Sequence, residues 1–254
     1  MRRLIRTASR LVLPSVAMPE IDNDGRRLFL GAAAASGLYF ALPGRFADEL
    51  TPTVRMTEGP FFPDKLPLDT DNDLLILNDK LTPAVGEIVH LTGRVLSRTG
   101  QPMRNALVEI WQVDSKGSYL HSQGDGGNGR DGNFQGYGRF LTDLEGRYYF
   151  RTIKPVPYSV GGTFRTPHIH VKVTRGETQM IATQLMFRGD ADNDRDGPLQ
   201  SIRDPKLRDT VLTDYVPVPN SKLGELQAGF DIVIGRTLEE MEDHTLAAPN
   251  GKRG

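Results

Sequence analysis

The chain of 254 residues carries 31 Lys and Arg against 32 Asp and Glu, a net charge of −1, so no global field draws it to nucleic acid or to an anionic membrane surface. Its 38% hydrophobic and 25% charged residues are those of a soluble globular chain, long enough for one large domain or two small ones. Cysteine is absent, which excludes disulfides, thiolate-held zinc, iron–sulfur clusters and cysteine nucleophiles together, and leaves His, Tyr, Asp and Glu to hold any metal.

Residues 1–50 read as an export leader. Arg26 and Arg27 precede Leu28-Phe29-Leu30 and a mild apolar run over 31–42, which closes at Pro43. That run is too short and too weakly hydrophobic to span a bilayer, and its Gly and Ala give a buried helix little to pack. Paired arginines ahead of such a stretch resemble a twin-arginine signal. The expected location is periplasmic or secreted, with no stable membrane insertion after export. Met18 is the expected start of translation, because it leaves a leader of ordinary form.

From residue 51 to about 238 the pattern is that of one all-β domain, followed by a polar tail over 239–254. Residues 51–79 are turn-rich and contain the string TEGPFFP at 57–63. Alternating or apolar runs then recur at short spacing: 88–95, 106–113, 138–142, 147–151, 168–173, 180–187 and 230–234. Turn signals separate them at Thr99-Gly100, Lys116-Gly117, 143–146 and Arg175-Gly176. Such spacing predicts an antiparallel β-sandwich with long loops and few short helices. Residues 190–219 form a loop-rich excursion with a helical turn expected around 206–211.

The run Pro167-His168-Ile169-His170-Val171-Lys172-Val173 carries the strongest chemical signal. Alternate side chains of a strand share a face, so His168 and His170 point one way while Ile169, Val171 and Val173 point into a core. Two imidazoles one strand repeat apart suit a single metal ion, although a solvated strand face carries the same pattern. Tyr119 follows a predicted strand, and Tyr158 sits in the proline-stiffened Pro155-Val156-Pro157 loop. Each alone is a packing tyrosine; with the histidines they make a two-His, two-Tyr set. Phenolate is a hard anionic ligand, and two of them offset most of a ferric charge, which favours Fe(III) over Fe(II), zinc or copper.

Residues 136–158 (GYGRFLTDLEGRYYFRTIKPVPY), 165–170 (RTPHIH), 105–112 (NALVEIWQ) and 57–61 (TEGPF) resemble the intradiol ring-cleavage dioxygenases, especially the iron-bearing subunit of protocatechuate 3,4-dioxygenase. The resemblance runs from about Thr57 to Phe187, with a weaker match at 230–234. It implies an Fe(III) centre with Tyr119 and His168 as equatorial ligands and Tyr158 and His170 as the axial pair. It further implies that Arg165 stabilises developing negative charge and that Gln184 lines the site. The implied reaction opens a small aromatic diol with O2 between its hydroxyl-bearing carbons, giving a cis,cis-muconate-type diacid, with no reductant or organic cofactor. The implied assembly is a homo-oligomer or a pairing with a second kind of subunit. Val156 stands where the family favours glycine, Ser159-Val160 replace a more aromatic continuation, and the connection from Tyr158 to Arg165 is short, so the pocket is expected to differ from that of protocatechuate enzymes.

Other signals carry less. Asp192-Asn193-Asp194-Arg195-Asp196-Gly197 resembles the start of a calcium loop, but Arg203 stands where such a loop needs Glu, so it reads as a solvated loop. His90, His121 and His244 have no partner at metal spacing, although His121 lies two residues from Tyr119. The rival reading is a non-catalytic, transthyretin-like binding module, which needs the strands and turns but has no use for the two-His, two-Tyr set.

Overall fold

The computed structural model of the chain describes residues 49–77, 82–124, 127, 129–235, 239–240 and 246–247, all within the unit Ala47–Gly254. The leader arginines and His244 lie outside the described residues. Two five-stranded sheets face each other. The first is built on β1 (Ile88–Ser97), which pairs antiparallel with β4 (Arg147–Ile153) and, in succession, parallel with β11 (Leu226–Gly229) and β12 (Ile232–Ile234); β10 (Tyr215–Pro217) adds to β11. The second runs β3 (Tyr137–Leu141), β2 (Leu107–Trp111), β7 (His168–Arg175), β8 (Thr178–Phe187), β9 (Leu212–Thr213). A separate hairpin joins β5 (Tyr158–Val160) to β6 (Thr163–Arg165).

The all-β, sandwich-like architecture is the expected one, but the sheets are mixed rather than antiparallel throughout. Parallel pairs need a long crossover. Here the excursion after β8 provides it, carrying a 3-10 turn at Asn193–Arg195 and two short helices, α1 (Gly197–Gln200) and α2 (Pro205–Asp209). Within the polar tail, Glu239–Glu240 pair with Leu246–Ala247. Among the described residues no helix is long and apolar enough to cross a membrane.

Period-2 patterning decides what fills the space between the sheets. Val89 and Leu91 of β1, Phe150 of β4, Val108 and Ile110 of β2, and Ile169, Val171 and Val173 of β7 are all fully buried in one core cluster. Each such side chain contributes roughly 1.5–3 kcal/mol relative to exposure. The other face of the second sheet therefore carries the complementary set: Glu109 and Trp111 on β2, Tyr137 on β3, His168, His170 and Lys172 on β7, and Gln184 on β8. The segment 56–62 covers part of this face, so Glu109, His168, His170 and Gln184 are buried without belonging to the core, and Lys172 is half-buried.

Where β11 gives way to β12, the chain passes so close to β1 that a Cβ on Gly93 would sit 1.9 Å from the Phe230 carbonyl oxygen and 2.7 Å from Tyr148 Oη. Tyr148 Oη donates to that same carbonyl. Gly93→Ala is therefore expected to destabilise the fold by about 3 kcal/mol, from overpacking plus the lost hydrogen bond. Chemical denaturation checks this, and a midpoint unchanged from the parent would contradict it.

Candidate metal centre

Three separate pieces of chain bring four side chains together. The histidines come from β7, where His170 sits opposite Trp111 of β2 and Gln184 of β8. The Trp111 indole lies flat against the His170 ring, centroids 4.9 Å apart and planes 7° from parallel. That stacking fixes the plane of His170 and closes one side of the site to water.

Tyr119 arrives through a turn organised by Asp114. The fully buried Asp114 carboxylate accepts from the N–H groups of Lys116 (2.8 Å), Ser118 (3.0 Å) and Asp131 (2.6 Å). An aspartate bonding the backbone two residues on is the usual way such a turn is pinned. The Phe61 ring stacks on Tyr119 at 5.2 Å, and Tyr119 is itself only 2% exposed.

Tyr158 comes from the β5–β6 hairpin. Gly161 and Gly162 close it with φ of +59° and +79°, the two positive angles that a two-residue hairpin turn requires. Its base pairs Tyr158 directly opposite Arg165. The expected proline-stiffened loop thus ends at Tyr158, where a short strand begins. Tyr158 is the half-buried member of the four, whereas His168 and His170 are 1% and 2% exposed.

The functional atoms converge on Tyr119 Oη. It lies 3.1 Å from Tyr158 Oη, 3.2 Å from His168 Nε2 and 3.1 Å from His170 Nε2, and the two Nε2 atoms are 3.2 Å apart. His168 Nδ1 donates to the Thr166 carbonyl at 2.6 Å, which leaves a bare lone pair on the Nε2 that faces the cluster. His170 Nδ1 is buried and has no hydrogen-bond partner among the described residues.

Burial sets the protonation states. It pushes the Tyr119 phenol well above its ordinary range, with the adjacent Tyr158 adding to the effect. It raises Tyr158 too, against the opposing pull of its hydrogen bond from Tyr119 and the charge of Arg165. Burial lowers His168 to about 4, helped by Arg165, and holds His170 well below the usual imidazole value, with His168 and Arg165 contributing. Without a cation, the four groups are neutral and crowd more lone pairs together than they have protons to share.

The donor set fits a metal ion. Ligand atoms each about 2 Å from one ion stand about 2.8–3.3 Å apart, the spacing that Tyr119 Oη keeps to the other three and that the two Nε2 atoms keep to each other. A cation would displace the phenolic protons and give every inward lone pair a partner. Among the described residues no three of His, Asp and Glu gather at metal-binding range, so the tyrosines complete the set. Two phenolates and two neutral imidazoles suit a hard trivalent ion such as Fe(III).

Arg165 and Gln184 stand beside the four. The Arg165 guanidinium donates from Nε to Asp196 Oδ2 (2.8 Å) and from one terminal nitrogen to Gln184 Oε1 (2.5 Å), while Gln184 Nε2 donates to the Thr57 carbonyl (2.8 Å). Asp196 corrects the reading of 192–197 as a solvated loop. Its carboxylate is fully buried, and its other oxygen caps α1 by accepting from Leu199 N–H at 2.9 Å. A signal was present, since Asp followed by Gly197-Pro198 is a helix-capping pattern, but capping says nothing of burial against Arg165. Trp111 was likewise read as a strand residue without a role. His121 stays outside the cluster: its Nδ1 accepts from Gln123 N–H at 3.0 Å and its ring meets the edge of Phe61.

Comparison with known proteins bears on the same residues. The sequence model of a family described as dioxygenase matches residues 57–234. The chain is 36% identical over 177 residues to the protocatechuate 3,4-dioxygenase beta chain of Burkholderia cepacia, covering 68% of this chain and 75% of that one. It is 30% identical over 196 residues to the alpha chain of the Pseudomonas putida enzyme, covering 73% and 93%. Among solved structures, the dioxygenase domain of a carbohydrate-binding fusion protein from Streptomyces sp. SirexAA-E superposes with a TM-score of 0.52 at 28% identity, covering 73% of this chain and 99% of that one. These relatives are enzymes rather than binding modules, and the family match takes in Tyr119, Tyr158, Arg165, His168, His170 and Gln184. On this ground the chain belongs to the intradiol ring-cleavage dioxygenases.

Proposed function

We propose that the chain is an exported ferric dioxygenase that opens a catechol-type ring between its two hydroxyl-bearing carbons with O2, giving a cis,cis-muconate-type diacid. The observation that carries this reading is the convergence of two phenols and two imidazoles around Tyr119 Oη. Tyr119, Tyr158, His168 and His170 would hold the Fe(III). The bound ion would act as a Lewis acid that takes both oxygens of the deprotonated diol and makes its ring reactive towards O2 without a reductant.

The chain's own groups do the remaining work. Tyr158 is half-buried on a hairpin outside both sheets, so it would be the member of the set that an arriving diol meets. Its Oη would take up a proton from a diol hydroxyl. Arg165, fixed on two sides, holds positive charge where negative charge develops on the substrate. Trp111 and Phe61 wall the site with aromatic surface that excludes water.

Export rests on Arg26-Arg27 and the apolar run behind them. Val156, Ser159 and Val160, where the sequence departs from the pattern of the protocatechuate enzymes, flank Tyr158 along the chain, which favours a diol other than protocatechuate. A homo-oligomer or a partner subunit completes the assembly. The test is oxygen uptake by red-brown, iron-replete protein across catechol, protocatechuate, hydroxyquinol and lignin-derived diols, with product analysis. Muconate-type diacids are expected. Semialdehyde products, or a colourless protein that takes up no iron, would contradict the proposal.

A further inference from the structure

We propose that Asp196 is the positioning residue for Arg165: it sets the direction in which the guanidinium faces the reacting diol. This rests on the reading of the site as a ring-opening centre. Asp196 is fully buried, yet it stands on the excursion after β8, 31 residues along the chain from Arg165. One carboxylate oxygen accepts both Arg165 Nε–H (2.8 Å) and Thr166 N–H (3.1 Å), so it holds the side chain and the backbone of the same short segment. A further bond from Thr166 Oγ1 to Asn193 Oδ1 (3.0 Å) ties this segment to the same loop.

An arginine has five N–H groups in one rigid plane. Binding Nε to Asp196 and a terminal nitrogen to Gln184 fixes that plane from two sides. The remaining N–H groups then have a set direction before the substrate arrives. Arg165 stands directly opposite Tyr158 in the hairpin, and Gln184, which accepts from it, stands directly opposite His170 on the sheet, so the guanidinium lies beside the four-donor cluster. A buried carboxylate facing a buried guanidinium also removes the penalty of an unpaired charge, so the arginine needs no solvent on its far side. Gln184, a neutral amide, cannot do this alone.

The test uses iron-loaded Asp196→Ser, which keeps a helix-capping oxygen for Leu199 N–H and removes the bonds to Arg165 and Thr166. It is compared with Arg165→Ala and with the double variant. Asp196→Ser is expected to lose kcat by roughly 100-fold, the effect of misaligning one charge-stabilising donor. The four ligands come from other bonds, so iron content and the visible tyrosinate band should match the parent. The double variant should be no slower than Arg165→Ala alone, since groups acting as a unit do not lose activity twice.

Multiplying losses in the double variant would overturn the assignment, and so would a band and iron content that fall in step with activity. If Asp196→Ser does not fold, Asp196→Asn is held to the same criteria, and failure of both to fold makes Asp196 a folding residue and overturns the proposal. A parent protein with iron and its band, but no ring opening, fails the functional reading and this inference with it. A parent that opens rings while Asp196→Ser matches it in kcat fails this inference alone.

Discussion

Tyr119→Phe is expected to abolish iron binding, and with it colour and turnover, while leaving the fold intact. Three of the four donor contacts in the cluster run through Tyr119 Oη, so removing that single oxygen takes away the atom on which the others converge. The loss in charge adds to the loss in geometry. Burial holds the free phenol neutral, and each tyrosine that binds a trivalent ion must give up its proton. With one phenolate left, a ferric ion faces two neutral imidazoles and a single anion. Affinity should fall by at least about 100-fold, beyond the upper end of what disturbing an outer partner costs a metal site. The ring itself stays packed against Phe61 and Tyr158, so phenylalanine fills the same space. Metal-free protein should therefore melt within a few degrees of the metal-free parent, and no lower, because one crowded polar atom has gone. Iron analysis, the visible spectrum and calorimetry check this together. A Tyr119→Phe protein that holds one iron per chain would end the four-ligand reading.

Much of this could be read from the residues. The alternation through His168, Ile169, His170, Val171 and Val173 gave both the strand and its two faces, because a period of two leaves a buried sheet few other registers. What escaped was set by distance along the chain. Leu226–Gly229 has no β-branched residue and ends in glycine, yet it is a strand because β1 offers it an open edge. The β5–β6 strands are three residues each, below the length at which alternation is legible; Gly161-Gly162 was the available sign of their turn. The parallel pairs follow from where a long excursion returns, which local pattern does not encode. Asp196 is the same problem at the site. Its neighbours are charged and solvated, and burial of its one carboxylate depends on Arg165 reaching it from another strand.

Tyr158→Phe should behave differently from Tyr119→Phe, and the difference isolates its task. Tyr158 makes its hydrogen bond to the cluster with Tyr119 Oη, and its hairpin forms a sheet separate from the two large ones. Without it one anion is lost, as in Tyr119→Phe, but Tyr119, His168 and His170 still converge on one buried point, so iron is expected to bind more weakly than in the parent yet be retained at saturating iron, with a weaker visible band. Turnover should drop by about 100- to 1,000-fold, the range for losing a positioned proton acceptor together with a share of the site's charge balance. The more telling readout is protons. Once released from a metal, Tyr158 is a partly buried phenol whose affinity for a proton is raised by burial more than Arg165 and Tyr119 lower it. A phenol in that setting keeps whatever proton it takes from the diol. Anaerobic binding of a diol to Tyr158→Phe should therefore release one more proton to solvent than binding to the parent. Calorimetry in buffers of different ionisation enthalpy measures that difference directly. Equal proton release from the two proteins would mean that Tyr158 remains a ligand, or leaves without a proton, and the diol's hydrogen would need another acceptor.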